Sequence, residues 1–294
     1  MEAITLIISG QEAGKKLRSV LKGSLGLSSH AIGGLTHTRT GIQVNGSRPL
    51  DNVVLRTGDV LRVEIGDRRA PSGTVVPLDA PLDIVYEDAY LLVVSKPAGM
   101  VSLASLSRPD TPSVPGVLAC RYGADAPFHI VNRLDKGTTG LMIAARSGYV
   151  HNLLRGMLHT ADFCREYRGI CLGCPDPPEG VIDLPIGRAE GSIVARTVRP
   201  DGAPSASEYR VLERHGGFTL LSLIPRTGRT HQLRVHCAAI GHPLAGDWLY
   251  GTEDPALIAR PALHSYALRL RHPVTGARLE LTAPLPEDMR LLLR

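Results

Sequence analysis

Residues 128–147, FHIVNRLDKGTTGLMIAARS, constrain this chain more than any other stretch. A short apolar run stands on each side of a polar loop that carries glycine, and runs of this length read as buried strands. The fold must therefore supply a sheet that accepts two inward strands joined by Arg133-Leu134-Asp135-Lys136-Gly137-Thr138-Thr139-Gly140. That loop holds one carboxylate, Asp135, between the cations of Arg133 and Lys136. A loop aspartate taken alone is most often a turn former or a helix cap. One flanked by two cations beside buried strands is poised for chemistry. Ser147 then caps a helix in which Val150, Leu153, Leu154, Met157 and Leu158 make one apolar stripe.

Two later segments carry further candidates. DFCREYRGICLG (162–173) reads as a strand with Arg165, Tyr167 and Gly169 on one face. In IPRTGRTHQLRVHCAAIGHPLAGDWLYG (224–251), Thr230 is the expected N-cap, His231 to Ile240 the helix and Gly241 its stop. Arg226, Arg229 and Arg234 crowd the start of that helix, which by itself already favours anions. Upstream, LDIVYEDAYLLVVSKPAGM (82–100) supplies two strands and a KPAG turn.

Three prolines in APSGTVVPLDAP (70–81) oppose regular structure and mark a linker. The expected division is a small domain at 1–69 and a large one at 82–294. The small part opens on an apolar run at Ile4–Ile8 that reads as a strand. A helix with Leu17, Val20, Leu21 and Leu25 on one side follows, then a second helix capped by Ser28 or Ser29 and carrying Gly33 and Gly34. Asn45-Gly46 signals a hairpin turn, and VLRVEI (60–65) alternates as a strand. Charge separates the two parts. Residues 1–69 hold ten Lys or Arg against six Asp or Glu, and residues 70–294 hold 23 against 22. Of the 33 basic residues 28 are arginine, whose planar fork suits phosphates and base edges, although a GC-rich genome would give the same bias. Gly10 to Lys16 imitates a phosphate-binding loop, but it is one residue short and ends in Lys where Ser or Thr is needed.

Several classes are disfavoured. No run approaches the roughly 20 apolar residues of a membrane span. The first residues lack the basic start and longer apolar core of a signal peptide. Five scattered cysteines, with one CxxC at Cys171 and Cys174 and no second pair, fit a reducing cytoplasm and no metal site. His231 and His236 are five apart, the wrong spacing for shared metal ligation on a helix.

RLDKGTTG, REYRG and RTGRTHQLRVHCAAIGHPLAGDWLYG together resemble the signatures of the RluA-type RNA pseudouridine synthases. SKPAGM near residue 95 and LHSYALRLRHPVTGARLELTAPLP at 263–286 add to the match. KKLRSVLKGSLGLSSHAIGGL, IQVNG and LRTGDVLRVEI resemble the S4 RNA-binding domain. The resemblance implies an α+β catalytic fold with a large mainly antiparallel or mixed sheet, preceded by a small α/β S4-like domain. It implies that Asp135 is the catalytic aspartate, Tyr167 the active-site tyrosine and Arg234 the arginine beside the aspartate. Arg133 would fill the space left by a flipped uridine, and Arg229 and Thr230 would contact the substrate. The residue before RLD, usually His in the family, is Asn132, and the usual TSG is Thr138-Thr139-Gly140. Isomerising uridine oxidises nothing, so no cofactor is expected. The expected partner is RNA acted on by a monomer: large-subunit ribosomal RNA first and tRNA second. A non-catalytic RNA-binding protein of the same fold is the alternative.

Overall fold

The computed structural model describes residues 2–50, 52–67, 75–105 and 107–294. The first part comprises β1 (Ala3–Ile7), α1 (Leu17–Gly23), α2 (Ser29–Thr36), β2 (Ile42–Val44) and β3 (Val60–Glu64), its antiparallel sheet running β1-β3-β2. Ser28 caps α2 as expected, its Oγ accepting the Ala31 N–H at 3.1 Å. Asn45 and Gly46 both take positive φ, as a tight reversal requires. That reversal does not join the paired strands. β2 lies against β3, reached only after residues 45–59, and Asn45 fastens this excursion by donating to Asp59 and accepting from Val60 N–H. Ile8, Val20, Leu21, Ile32, Leu55 and Leu61 form a separate core. Of the expected linker at 70–81, residues 70–74 lie outside the described residues; further on, Leu78 N–H donates to Gly116 O at 3.1 Å.

The larger part begins with β4 (Asp83–Glu87), β5 (Leu91–Lys96), α3 (Val114–Tyr122), β6 (His129–Ile130), β7 (Thr139–Ala145) and α4 (Gly148–Met157). β8 (Phe163–Leu172), β9 (Glu179–Asp183), β10 (Ile186–Arg188), β11 (Arg196–Val198), β12 (Ala206–His215) and β13 (Phe218–Pro225) follow. α5 (Gln232–Ala239), β14 (Leu263–Arg271), β15 (Arg278–Thr282) and α6 (Glu287–Leu291) complete it. One ten-stranded sheet runs β4-β5-β7-β14-β8-β13-β12-β9, with β15 on β14 and β6 on β7. Among its described strands only β7 and β14 pair in parallel, so the sheet is mixed and mainly antiparallel, as expected.

Every residue of β7 is buried. Alternation along β5 and β7 divides the apolar side chains between two cores: Leu92, Val94, Met142 and Ala144 on one face, Leu91, Val93, Leu141 and Ile143 on the other. Gly140 is required where β7 meets β14. Its φ is +102°, and a Cβ there would stand 2.2 Å from Ser265 O. Ser147 caps α4 through Val150 N–H, and the predicted stripe turns inward at Val150 and Leu154.

His264 ties the same junction. Its Nε2 donates to Ala283 O at 3.1 Å, which leaves Nδ1 to accept from Thr139 Oγ1 at 2.8 Å. Burial pushes its pKa down to about 4, against the Ala283 hydrogen bond. A histidine so depressed stays neutral in the fold but protonates readily once unfolded. Its stabilisation is therefore complete above about pH 6.5 and is lost as pH falls toward its folded value. The stability advantage of wild type over His264→Asn should shrink by up to about 3 kcal/mol between pH 7 and pH 4. Denaturant titrations at the two values measure it; a constant difference would mean that the fold accepts the charged imidazole.

Candidate active site

The loop carrying Asp135 spans the gap between β6 and β7 and is fixed from beneath. Leu134 is buried; its N–H donates to Ser102 Oγ, which in turn donates to Leu134 O. Lys96, at the end of β5, is 1% exposed and donates to the carbonyls of Pro97, Met100 and Lys136 at 2.9, 2.9 and 3.3 Å. One ammonium thus gathers the KPAG turn and the Asp135 loop. Burial brings its pKa down to about 7, helped by Arg260 and opposed by Asp135. Asn132 is buried as well, and its Oδ1 accepts the Ile143 N–H at 2.9 Å.

Asp135 projects into a cleft of about 790 Å³. Arg133, Tyr167, Arg229, Thr230 and Arg234 line the same cleft, so all six predicted site residues come together. Arg133, Arg229 and Thr230 are exposed at its rim. Among the described residues that line it, Asp135 is the only carboxylate, against Arg133, Lys136, Arg155, Arg165, Arg229 and Arg234.

Arg234 does more than stand beside Asp135. Its Nη1 is 3.4 Å from Asp135 Oδ2, while Nε and Nη2 grip Asp247 at 2.8 and 2.7 Å. Asp247 is fully buried and also accepts the N–H groups of Leu249 and Tyr250. Burial works against the charge on Arg234, yet Asp247 and then Asp135 raise its pKa above the ordinary value. Asp247 lies within GDWLYG of the third signature, but nothing in its spacing from Arg234 announces a bidentate pair.

The start of α5 differs from expectation. Its cap is His231, not Thr230, with φ +58° and no side-chain capping bond. Gln232 supplies the missing partner: its Oε1 accepts from Arg229 N–H and Thr227 Oγ1, so the loop is tied by a side chain within the helix. The helix ends before Gly241, at φ +83°, as predicted. Arg226 does not crowd this end, because it pairs outward with Glu208 at 2.6 Å. His231 turns to Asp135, Nε2 to Oδ1 3.8 Å, and its Nδ1 is 2.8 Å from Tyr250 Oη.

Tyr167 and Arg165 both face the cleft. Arg168 does not share that face; it covers the Tyr266 ring at 4.1 Å and pairs with Glu166. Tyr167 is packed within the core that holds Leu134, Leu223, Leu233 and Leu263, so its setting is apolar. Burial raises the phenol pKa and Arg165 opposes it. If the hydroxyl relays a proton, Tyr167→Phe should lower the single-turnover rate about 10²-fold at unchanged RNA affinity. A rate within a few-fold of wild type would reduce the ring to packing. Among the described residues no three His, Cys, Asp or Glu side chains converge on a metal site, and Cys171 and Cys174 are free thiols.

Comparison with known proteins matches residues 90–239 to the family described as RNA pseudouridylate synthase. The uncharacterized RNA pseudouridine synthase YjbO of Bacillus subtilis is 36% identical over 274 residues, covering 92% of this chain and 96% of that protein. Ribosomal large subunit pseudouridine synthase D of Yersinia pestis is 40% identical over 229 residues, 72% of this chain and 70% of its own length. Among solved structures, human RNA pseudouridylate synthase domain containing 4 matches with a TM-score of 0.57 and 26% identity. The match covers 70% of this chain and 90% of that one.

Proposed function

Since the chain belongs to the RNA pseudouridylate synthase family, an isomerase family acting on RNA, we propose that its substrates are uridines of large-subunit ribosomal RNA. The similarity to a large-subunit enzyme favours that RNA, with tRNA second. The observation that carries the reading is a single carboxylate in a cleft lined by six Lys and Arg side chains. A polyanion suits those cations. Glycoside hydrolysis ordinarily needs two carboxylates about 5–10 Å apart, and the described residues of the cleft offer one.

Pseudouridine forms when the N1–C1′ bond breaks, the uracil turns, C5 joins C1′ and the C5 proton is lost while N1 gains one. Asp135 serves this at the sugar, by attack on C1′, by stabilising positive charge there, or by removing a sugar proton. Arg234 holds it in place through Oδ2. Reaching the uridine requires taking it out of its stack, at a cost of a few kcal/mol. Arg133 at the rim fills the vacated space, Arg229 and Thr230 hold the RNA beside it, and Tyr167 meets the uracil from the apolar wall. Tritium release from 5-labelled large-subunit RNA, with pseudouridine mapping in a deletion strain, tests the reading. Loss of at least one large-subunit pseudouridine is expected. An intact ribosomal pattern with a missing tRNA site would transfer the substrate to tRNA.

Residues 1–69 act, in this reading, as an S4-like RNA-binding domain joined by the linker at 70–81. Lys15 and Lys16, just before α1, and Lys22 within it are exposed. Replacing all three by Gln should flatten the slope of log affinity against log salt by about 2 to 3, because fewer counterions are released. An unchanged slope would place this face away from the RNA.

A further inference from the structure

We propose that His231 is a second positioning residue for Asp135, held in the Nε2–H form by Tyr250. The inference rests on the isomerase reading above and deepens it. Among the described residues only Asn45 and His231 combine a side chain with positive φ. Asn45 sits in a tight turn, whereas His231 takes this conformation, uncommon for any residue with a side chain, at the start of a helix that opens on the cleft. What the strained backbone achieves is direction: the ring edge is turned from the axis of α5 to the carboxylate.

The proton inventory fixes the tautomer. Tyr250 Oη accepts the Arg196 N–H at 2.9 Å and lies 2.8 Å from His231 Nδ1. Its own proton is therefore available to Nδ1. An ionised carboxylate can only accept. The arrangement that satisfies both ends has Tyr250 donating to Nδ1 and Nε2–H directed at Asp135 Oδ1. The 3.8 Å separation is too long for a hydrogen bond in the free protein, and closing it by about 1 Å would complete one, as such contacts often tighten around substrate. Burial foremost lowers the His231 pKa, Asp135 works against that, and Arg234 and Arg196 add to it, so the ring is neutral near neutral pH.

The two supports act on different atoms. Arg234 approaches Oδ2 and His231 approaches Oδ1. A carboxylate held at one oxygen can still turn about its Cβ–Cγ bond; held at both, it presents one lone pair in one direction. That is the difference between an aspartate near the sugar and one aligned with C1′.

The full-length protein, labelled with ¹⁵N at histidine, reports the tautomer directly. Wild type should show Nε2–H at His231, and Tyr250→Phe should shift it toward Nδ1–H. In single turnover, His231→Asn should lose about 30-fold or more at unchanged RNA affinity. His231→Gln, whose amide nitrogen reaches where Nε2 stood, should recover at least about tenfold of that loss, and Tyr250→Phe should lose about tenfold. An Nδ1–H tautomer in wild type overturns the inference, as do Asn and Gln variants with equal rates. If His231→Asn fails to fold, the wild-type tautomer and Tyr250→Phe still decide. Wild-type protein that converts no uridine would overturn the isomerase reading instead.

Discussion

Replacing Asp135 by Asn should abolish isomerisation, lowering the single-turnover rate by at least about 10⁴-fold, while fold and RNA affinity persist. The separation follows from what the side chain touches. Its polar neighbours are Arg234 at 3.4 Å and His231 at 3.8 Å, both longer than good hydrogen bonds, and about a third of it is exposed. Losing such contacts costs stability little, about 1 kcal/mol or less. The chemistry has no substitute, because no other carboxylate among the described residues lines the cleft. RNA is gripped mainly through phosphates, and one neutralised carboxylate in a field of six cations changes that by a few-fold at most. Tritium release near the wild-type rate from Asp135→Asn would remove the residue from the chemistry.

Arg234→Met should lower activity by about 10²-fold or more and should also destabilise the protein by about 3–5 kcal/mol. The second effect comes from Asp247, not Asp135. Asp247 is fully buried, and without the guanidinium fork only the Leu249 and Tyr250 N–H groups face its charge. The double variant Arg234→Met/Asp247→Asn separates the two roles. It should regain much of the stability, because no unpaired charge remains, and stay inactive, because Asp135 has still lost its cation. Lysine should restore little at position 234, since a point charge cannot bridge Asp247 through two nitrogens while reaching Asp135 with a third. Denaturant unfolding and single-turnover rates on the same preparations measure both. Activity recovering together with stability in the double variant would show that Arg234 supports the fold alone.

Much of the site is legible in the sequence because its signals are local. The Asp135 loop announces itself by the apolar runs around it, and Tyr167 by its place on a strand. α4 follows from its stripe and serine cap. The rest depends on partners far along the chain. Lys96 looks like a surface lysine beside a proline, and only the fold brings the carbonyl of Lys136 to it. Arg234 seems to be one arginine among three at a helix start, until Arg226 turns out to Glu208 and Asp247 arrives from below. Thr230 has the right chemistry for a cap and the wrong backbone, because His231 takes the left-handed conformation and Gln232 closes the loop instead. The parity of β8 sends Arg168 to the face opposite Tyr167.

The place of β14 in the sheet bears on how the protein is born. Strands β7 and β8 are close in sequence, yet they do not pair; residues 263–271, made well after both, lie between them. The contacts that seat the segment after Asp135, Thr139 with His264 and Gly140 with Ser265, span about 125 residues. Such closure is slow and cannot begin on a partial chain. A ribosome-bound fragment ending before residue 263 has every motif of the site up to Asp247 but lacks the strand that joins β7 to β8. The strand that follows Asp135 and the strand that carries Tyr167 are thereby joined in one sheet only after residues 263–271 have been made.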